Sequence, residues 1–159
     1  MKKVVCFVAL MSCSVIAQAE GMDTKNFYVG GGLNFNSLPG TGSARGFQFF
    51  GGYEFDFLLN DDIKTSVEVG YLDSGNFDRI NNANNAGSVD GVWASALESV
   101  AVSSKVDVLA RLGYDFGDDD GLLLGAGMQY KFNTKSAMRM EYVSREHLNG
   151  LQVNVLVKF

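Results

Sequence analysis

The feature that most restricts the fold is the period-two pattern of residues 151–159. Leu151, Val153, Val155, Val157 and Phe159 are apolar, while Gln152, Asn154 and Lys158 between them are polar and Leu156 is the exception. Such alternation describes a strand whose two faces meet different surroundings. The pattern recurs along the chain. Phe27, Val29, Gly31, Leu33 and Phe35 alternate with Tyr28, Gly30, Gly32 and Asn34; Phe47, Phe49, Gly51, Tyr53, Phe55 and Phe57 with Gln48, Phe50, Gly52, Glu54 and Asp56. Residues 63–71, 106–114, 122–132 and 138–143 repeat it. A segment over about 89–101 alternates least clearly; placing Trp93 and Leu97 on the apolar face puts Asp90 and Glu98 on the other. These segments predict eight strands, each near the ~9–11 residues that a tilted membrane-crossing strand needs.

The two faces differ in charge, which identifies their solvents. One carries almost none. The other carries Glu54, Asp56, Glu68, Glu98, Asp107 and Glu141 against Lys64, Arg111, Lys131, Arg139 and Lys158. A lipid-facing band excludes charge, since a Lys or Arg at mid-bilayer costs roughly 2–4 kcal/mol. The inside of an eight-stranded barrel is filled by side chains, and charges there must pair. A lumen polar network of Glu54, Glu68, Arg111, Arg139 and Glu141 is therefore expected, with Glu68, Arg111, Arg139 and Glu141 meeting near mid-strand.

The connections and aromatics follow the same division. Those after the second, fourth and sixth strands read as short turns, and 36–43, 72–88, 115–121 and 144–150 as more polar loops, an asymmetry that membrane barrels show between their periplasmic and outer sides. An even strand count places both termini on the periplasmic side. Apolar-face aromatics gather at strand ends: Phe27, Phe57, Phe132 and Phe159 at one, Phe35, Phe47, Tyr71, Trp93, Tyr114 and Tyr142 at the other. Two such belts are interfacial girdles. At the N-terminus, Lys2 and Lys3, an apolar run from Val4 to Ile16 and Ala17-Gln18-Ala19 form a secretory signal over residues 1–19, leaving 20–159 as the barrel. A rival lipoprotein box at Leu10-Met11-Ser12-Cys13 fits poorly because of Met11. Both cysteines, Cys6 and Cys13, fall within the signal, so no disulfide staples the exported part. A formal charge of −5 argues against nucleic acid as a partner.

The sequence resembles the eight-stranded outer-membrane β-barrels, the membrane domain of the OmpA class and the OmpX/Ail group. The resemblance rests on Gly52-Tyr53, Gly70-Tyr71, Gly113-Tyr114, the run Leu112-Gly113-Tyr114-Asp115-Phe116 and the ending Val157-Lys158-Phe159. It implies an all-β, antiparallel, up-and-down transmembrane barrel in the outer membrane, embedded in the lipid bilayer against lipopolysaccharide, with its loops outside. It also implies that Phe159 is an assembly signal read by the barrel-assembly machinery. Nothing follows Phe159, so the peptidoglycan-binding domain of full-length OmpA-class proteins is expected to be absent.

The remaining motifs favour no chemistry. Some barrels of this size modify lipid A with a histidine, a serine and an acid at the outer rim, which requires a base within reach of a nucleophile. Here His147 is the only histidine; it stands near Ser144 and Glu146 but is followed by Leu148 and Asn149, so the His-x-Ser pattern of the lipid A deacylases is missing. Asp115, Asp118, Asp119 and Asp120 lack the spacing of a calcium loop and read as a solvated acidic turn. The expectation is a monomeric, non-catalytic barrel without cofactor or metal, whose loops serve cell-surface interaction with an unknown ligand or envelope integrity. The alternative is a narrow pore, since inward Gly30, Gly32, Gly52, Gly70, Gly113, Gly125 and Gly127 remove filling volume. A lipid A-modifying enzyme ranks behind both.

Overall fold

A computed structural model of the chain describes residues 24–38, 42–55, 63–77 and 87–159. Residues 1–19, Asp56, Phe57 and the asparagines at 81–85 lie outside these, so the readings placed on them have no structural counterpart here. After one 3-10 turn (Thr24–Asn26) the described residues form eight strands: β1 (Phe27–Leu38), β2 (Gly42–Glu54), β3 (Ile63–Asp73), β4 (Asp90–Ala101), β5 (Val106–Asp115), β6 (Gly121–Lys131), β7 (Ser136–Ser144) and β8 (Asn149–Lys158). Each pairs antiparallel with the next, and β8 returns to β1, with Val157 opposite Val29, to close the barrel. Cα partners lead from Tyr28 through Gly52, Glu68, Ser95, Gly113 and Leu123, and the ladders of β7 and β8 carry the path back to position 38, ten residues along β1. That stagger tilts the strands and closes a cylinder narrow enough for side chains to fill.

Side-chain direction follows the alternation on seven strands. Leu33, Val69, Leu112, Leu122, Leu124 and Met128 point outward and stay exposed, while Asn34, Glu68, Arg111, Leu123 and Arg139 are buried in the lumen. An exposed apolar band of this extent needs an apolar solvent. Ring pairs mark both rims. Phe27, Tyr53 and Phe55 meet edge-on at 4.8 and 5.2 Å at the end that carries the chain termini. Tyr114 and Phe116 lie 5.1 Å apart at the opposite end.

The fourth strand is reversed relative to expectation. Trp93 and Leu97 point inward, 1% and 2% exposed, so Trp93 belongs to no belt; Asp90 and Glu98 sit on the outward side. Two physical reasons account for this. The lumen needs bulk where glycines remove it: a Cβ on Gly70 would come within 2.6 Å of Trp93 Cζ2. And Glu98 stands three residues from the end of β4, where its carboxylate accepts from Thr65 Oγ1 at 2.9 Å. At the rim a charge on the outward face costs little. Trp93 is one case of a wider interlock. Tyr28 lies over its cross-strand partner Gly52, and Phe50 over its partners Gly30 and Gly70, so neither ring could stay where it is beside a Cβ. The volume that the glycines leave is thus taken up by aromatics.

Outer connections are also shorter than expected at 36–43 and 144–150. Strand pairing runs through most of 36–43, with Asn36 opposite Ala44 and Leu38 opposite Gly42. The stretch 144–150 reduces to a four-residue turn at 145–148, in which Arg145 N donates to Leu148 O. The connection between Asp73 and Asp90 is the longest, and that between Glu54 and Ile63 at the terminal end exceeds the remaining outer ones, so connection length does not alternate around the barrel. Proline and glycine near position 40 suggested a loop, but Asn36 can continue the strand because its side chain turns into the lumen, where Nδ2 donates to Asn34 Oδ1 and Ser74 O.

Candidate functional site

The lumen is arranged in layers. At its centre, β3 supplies Glu68, β5 Arg111, and β7 Arg139 and Glu141, which share an inward face because they are two apart. Arg111 grips Glu141 in fork geometry, Nε to Oε1 at 2.8 Å and Nη2 to Oε2 at 2.9 Å. Its Nη2 also lies 2.6 Å from Glu68 Oε2, a close ion contact without hydrogen-bond alignment. Arg139 Nη1 donates to Glu68 Oε1 at 2.6 Å, and Tyr28 OH donates to the same oxygen. Ser95 Oγ accepts from Arg111, and Gln129 Oε1 from Arg139. Two cations and two anions, all almost wholly buried, thus cancel inside one cluster. Aromatics complete the plug: the Arg111 guanidinium stands 4.9 Å from the Trp93 ring and that of Arg139 5.7 Å from Phe50. Planar, weakly hydrated guanidinium is the cation suited to both contacts.

Glu54, expected in this network, stands apart. It accepts from Lys64 at 2.9 Å and Lys158 at 2.6 Å nearer the terminal end, where Lys131 also pairs with Asp107 at 2.7 Å. On the other side of the plug Gln48 Nε2 donates to Gln152 Oε1 and Asn154 Oδ1, forming an amide layer. Beyond it Leu72, Phe77, Leu123, Val143 and Leu148 form an apolar cap.

Acids at the capped end are committed within the protein. Asp115 Oδ2 accepts from Arg145 Nε at 2.8 Å, and both side chains are buried. Burial draws the Arg145 guanidinium below its ordinary pKa, against the pull of Asp115. Asp119 accepts from the backbone of His147 and Leu148, each at 2.9 Å, and its Oδ1 lies 2.9 Å from His147 Nδ1. Asp118 accepts from Asp90 N. The turn is therefore a clasp between hairpins, and the solvated turn expected for Asp115 and Asp119 is corrected: both are buried, while Asp118 and Asp120 are exposed. Among the described residues no hydrogen bond joins His147 to Ser144, and no group of three or more His, Cys, Asp or Glu side chains is disposed to hold a metal ion.

Sequence reasoning missed Tyr28, Phe50, Trp93, Ser95 and Gln129 as members of the plug, and the Asp115–Arg145 pair. Inward Tyr28 opposite Gly52 was a usable signal; the pairing of Asp115 with Arg145 joins residues from separate hairpins and left no local trace.

Comparison with known proteins supplies the context for this geometry. A family model described as the outer membrane protein beta-barrel domain matches residues 5–159. Among solved structures, a de novo designed transmembrane β-barrel aligns with a TM-score of 0.57 at 15% identity, covering 87% of this chain and 98% of its own. Ail, the attachment invasion locus protein of Yersinia pestis, aligns with a TM-score of 0.54 at 15% identity over 83% of this chain and 95% of its own. Neisserial surface protein A gives 0.53 at 19% identity over 88% and 100%. No curated protein matches the chain. At such identities the structural likeness establishes the fold: a closed eight-stranded transmembrane barrel.

Proposed function

The chain belongs to the family of outer-membrane β-barrel domains, and on that footing we propose that it is a non-catalytic, non-conducting barrel that acts through its outer rim, in cell-surface interaction or envelope integrity. The observation that carries this reading is the plug. Glu68, Arg111, Arg139 and Glu141, packed with Tyr28, Phe50 and Trp93, occupy the centre of the lumen, and every charge in the cluster is paired. A transported ion would have to displace those pairs, and a barrel of this size has no second path.

In this reading residues 1–19 are removed as a signal, the monomeric barrel sits in the bilayer against lipopolysaccharide, both termini face the periplasm, and the capped end faces outward. Exposed Asp118, Asp120 and Glu146 make that rim acidic, which suits a cationic surface partner. A neighbour in fold is Ail, the attachment invasion locus protein, which supports a role at the cell surface.

Single-channel recording on the refolded barrel in planar bilayers tests the reading. A baseline without discrete steps is expected; reproducible ohmic steps would replace it with the narrow-pore alternative. Outer-membrane fractionation with unheated and heated electrophoresis tests the location, and a soluble band without heat-dependent mobility would overturn it. Deleting Phe159 is expected to lower outer-membrane yield without affecting export, and equal yields would remove its role in assembly.

A further inference from the structure

We infer that the lumen below the plug, at the terminal end, is a binding vestibule for a small oxyanion of the phosphate or sulfate class. A cavity of about 250 Å³ lies there, enough for such an anion with some of its water. Among its described lining residues Lys64, Lys131, Lys135 and Lys158 face only two carboxylates, Glu54 and Asp107. Both carboxylates are already taken, Glu54 by two lysines and Asp107 by one. Each ammonium has three donors, so most remain unused, and the Lys135 side chain has no partner among the described residues. The floor is the plug, which is electrically balanced and contributes no net anion. Every lysine among the described residues lies at this end of the barrel, although the chain as a whole is acidic. A blind cleft with one sign of charge in excess, set in low-dielectric walls, concentrates counter-ions of the opposite sign. Partial exposure of Lys64, Lys131 and Lys158 shows that water, and anions with it, reach the site.

The test uses the refolded full-length chain in non-ionic micelles, titrated with inorganic phosphate and read by phosphorus NMR line width and calorimetry. Saturable binding that weakens as chloride is raised is expected. Lys64→Gln combined with Lys135→Gln leaves Glu54 paired with Lys158 and Asp107 with Lys131, and is expected to weaken binding about tenfold. Lys64→Arg is expected to retain it, and Arg45→Gln at the far end to leave it unchanged. If the double variant loses the heat-dependent mobility of a folded barrel, Lys135→Gln alone, in an exposed turn, is expected to weaken binding measurably and decides the matter. Absence of saturable binding to the unsubstituted barrel, or binding that survives these lysine changes or falls with Arg45→Gln, overturns the inference.

Discussion

The two ends of the barrel are built from the same alternating strands, yet among the described residues one end holds a water-accessible cleft, the open end, and the other a buried cap, the sealed end. At the terminal end side chains of the turns at 102–105 and 132–135 bond to their own turn: Ser103 Oγ accepts from Lys105 N and Val106 N, and Asn133 Oδ1 from Lys135 N and Ser136 N. They fold no apolar side chain over the lumen; the turn 132–135 gives it Lys135, beside the other lysines and carboxylates in contact with water. At the opposite end described parts of the connections turn inward. Ser74, Phe77 and Leu148 are buried, and Asp119 ties 147–148 to the neighbouring hairpin. Strand pattern makes the cylinder, but the connections decide whether an end is a core or a cleft.

Four measurements sharpen that contrast, each read by urea unfolding of the refolded barrel. The largest effect is expected between the ends, at the plug. Arg111→Met leaves Glu68 and Glu141 short of a buried cation and is expected to cost about 3–5 kcal/mol. Adding Glu141→Gln should recover part of the loss, a coupling that a double-mutant cycle reports. Stabilisation by Arg111→Met would instead place that side chain in lipid. Next is the sealed end: Leu148→Ala opens a cavity under the cap and is expected to cost about 2–5 kcal/mol, with faster amide exchange at 145–148. Asp119→Ala strips the acceptor from two backbone donors and should cost about 1–3 kcal/mol; an unchanged midpoint would mean that the clasp is not what holds the hairpins together. The smallest effect is expected at the open end, where the Lys64 side chain is 45% exposed. Lys64→Gln should cost below about 1 kcal/mol. A loss there equal to that of Leu148→Ala would erase the distinction between the ends.

Much of this was legible in the sequence, and the failures have a common cause. Alternation places side chains correctly on β1–β3 and β5–β8 because outward mid-strand positions there carry no charge. On β4 the carboxylates of Asp90 and Glu98 lie near the strand ends, so they do not report which face meets lipid, and Trp93 answers to glycine on the adjacent strand rather than to its own neighbours. Glu68, Arg111, Arg139 and Glu141 could be grouped because depth along a strand can be counted. Glu54 could be placed inward by the same parity, yet it lies too near the terminal end to reach them and pairs with lysines instead. The cap was invisible because Phe77 and Leu148 stand in stretches that read as loops. The acidic turn misled because Asp115 and Asp119 are buried by residues about thirty positions away.

The glycine–aromatic interlock has a consequence for how the strands find one another. Sliding β1 against β2 by one residue turns the faces inside out, and lipid rejects it. Sliding by two keeps every face correct, so hydrophobicity cannot detect the error. In the native pairing Tyr28 faces Gly52 and Phe50 faces Gly30. A slip of two in one direction sets Tyr28 against Phe50, ring on ring in a lumen with no room; the other sets Gly30 against Gly52 and leaves a void. The glycines thus carry a second message superimposed on the polar–apolar one: alternation says which side, and the large–small exchange says which rung.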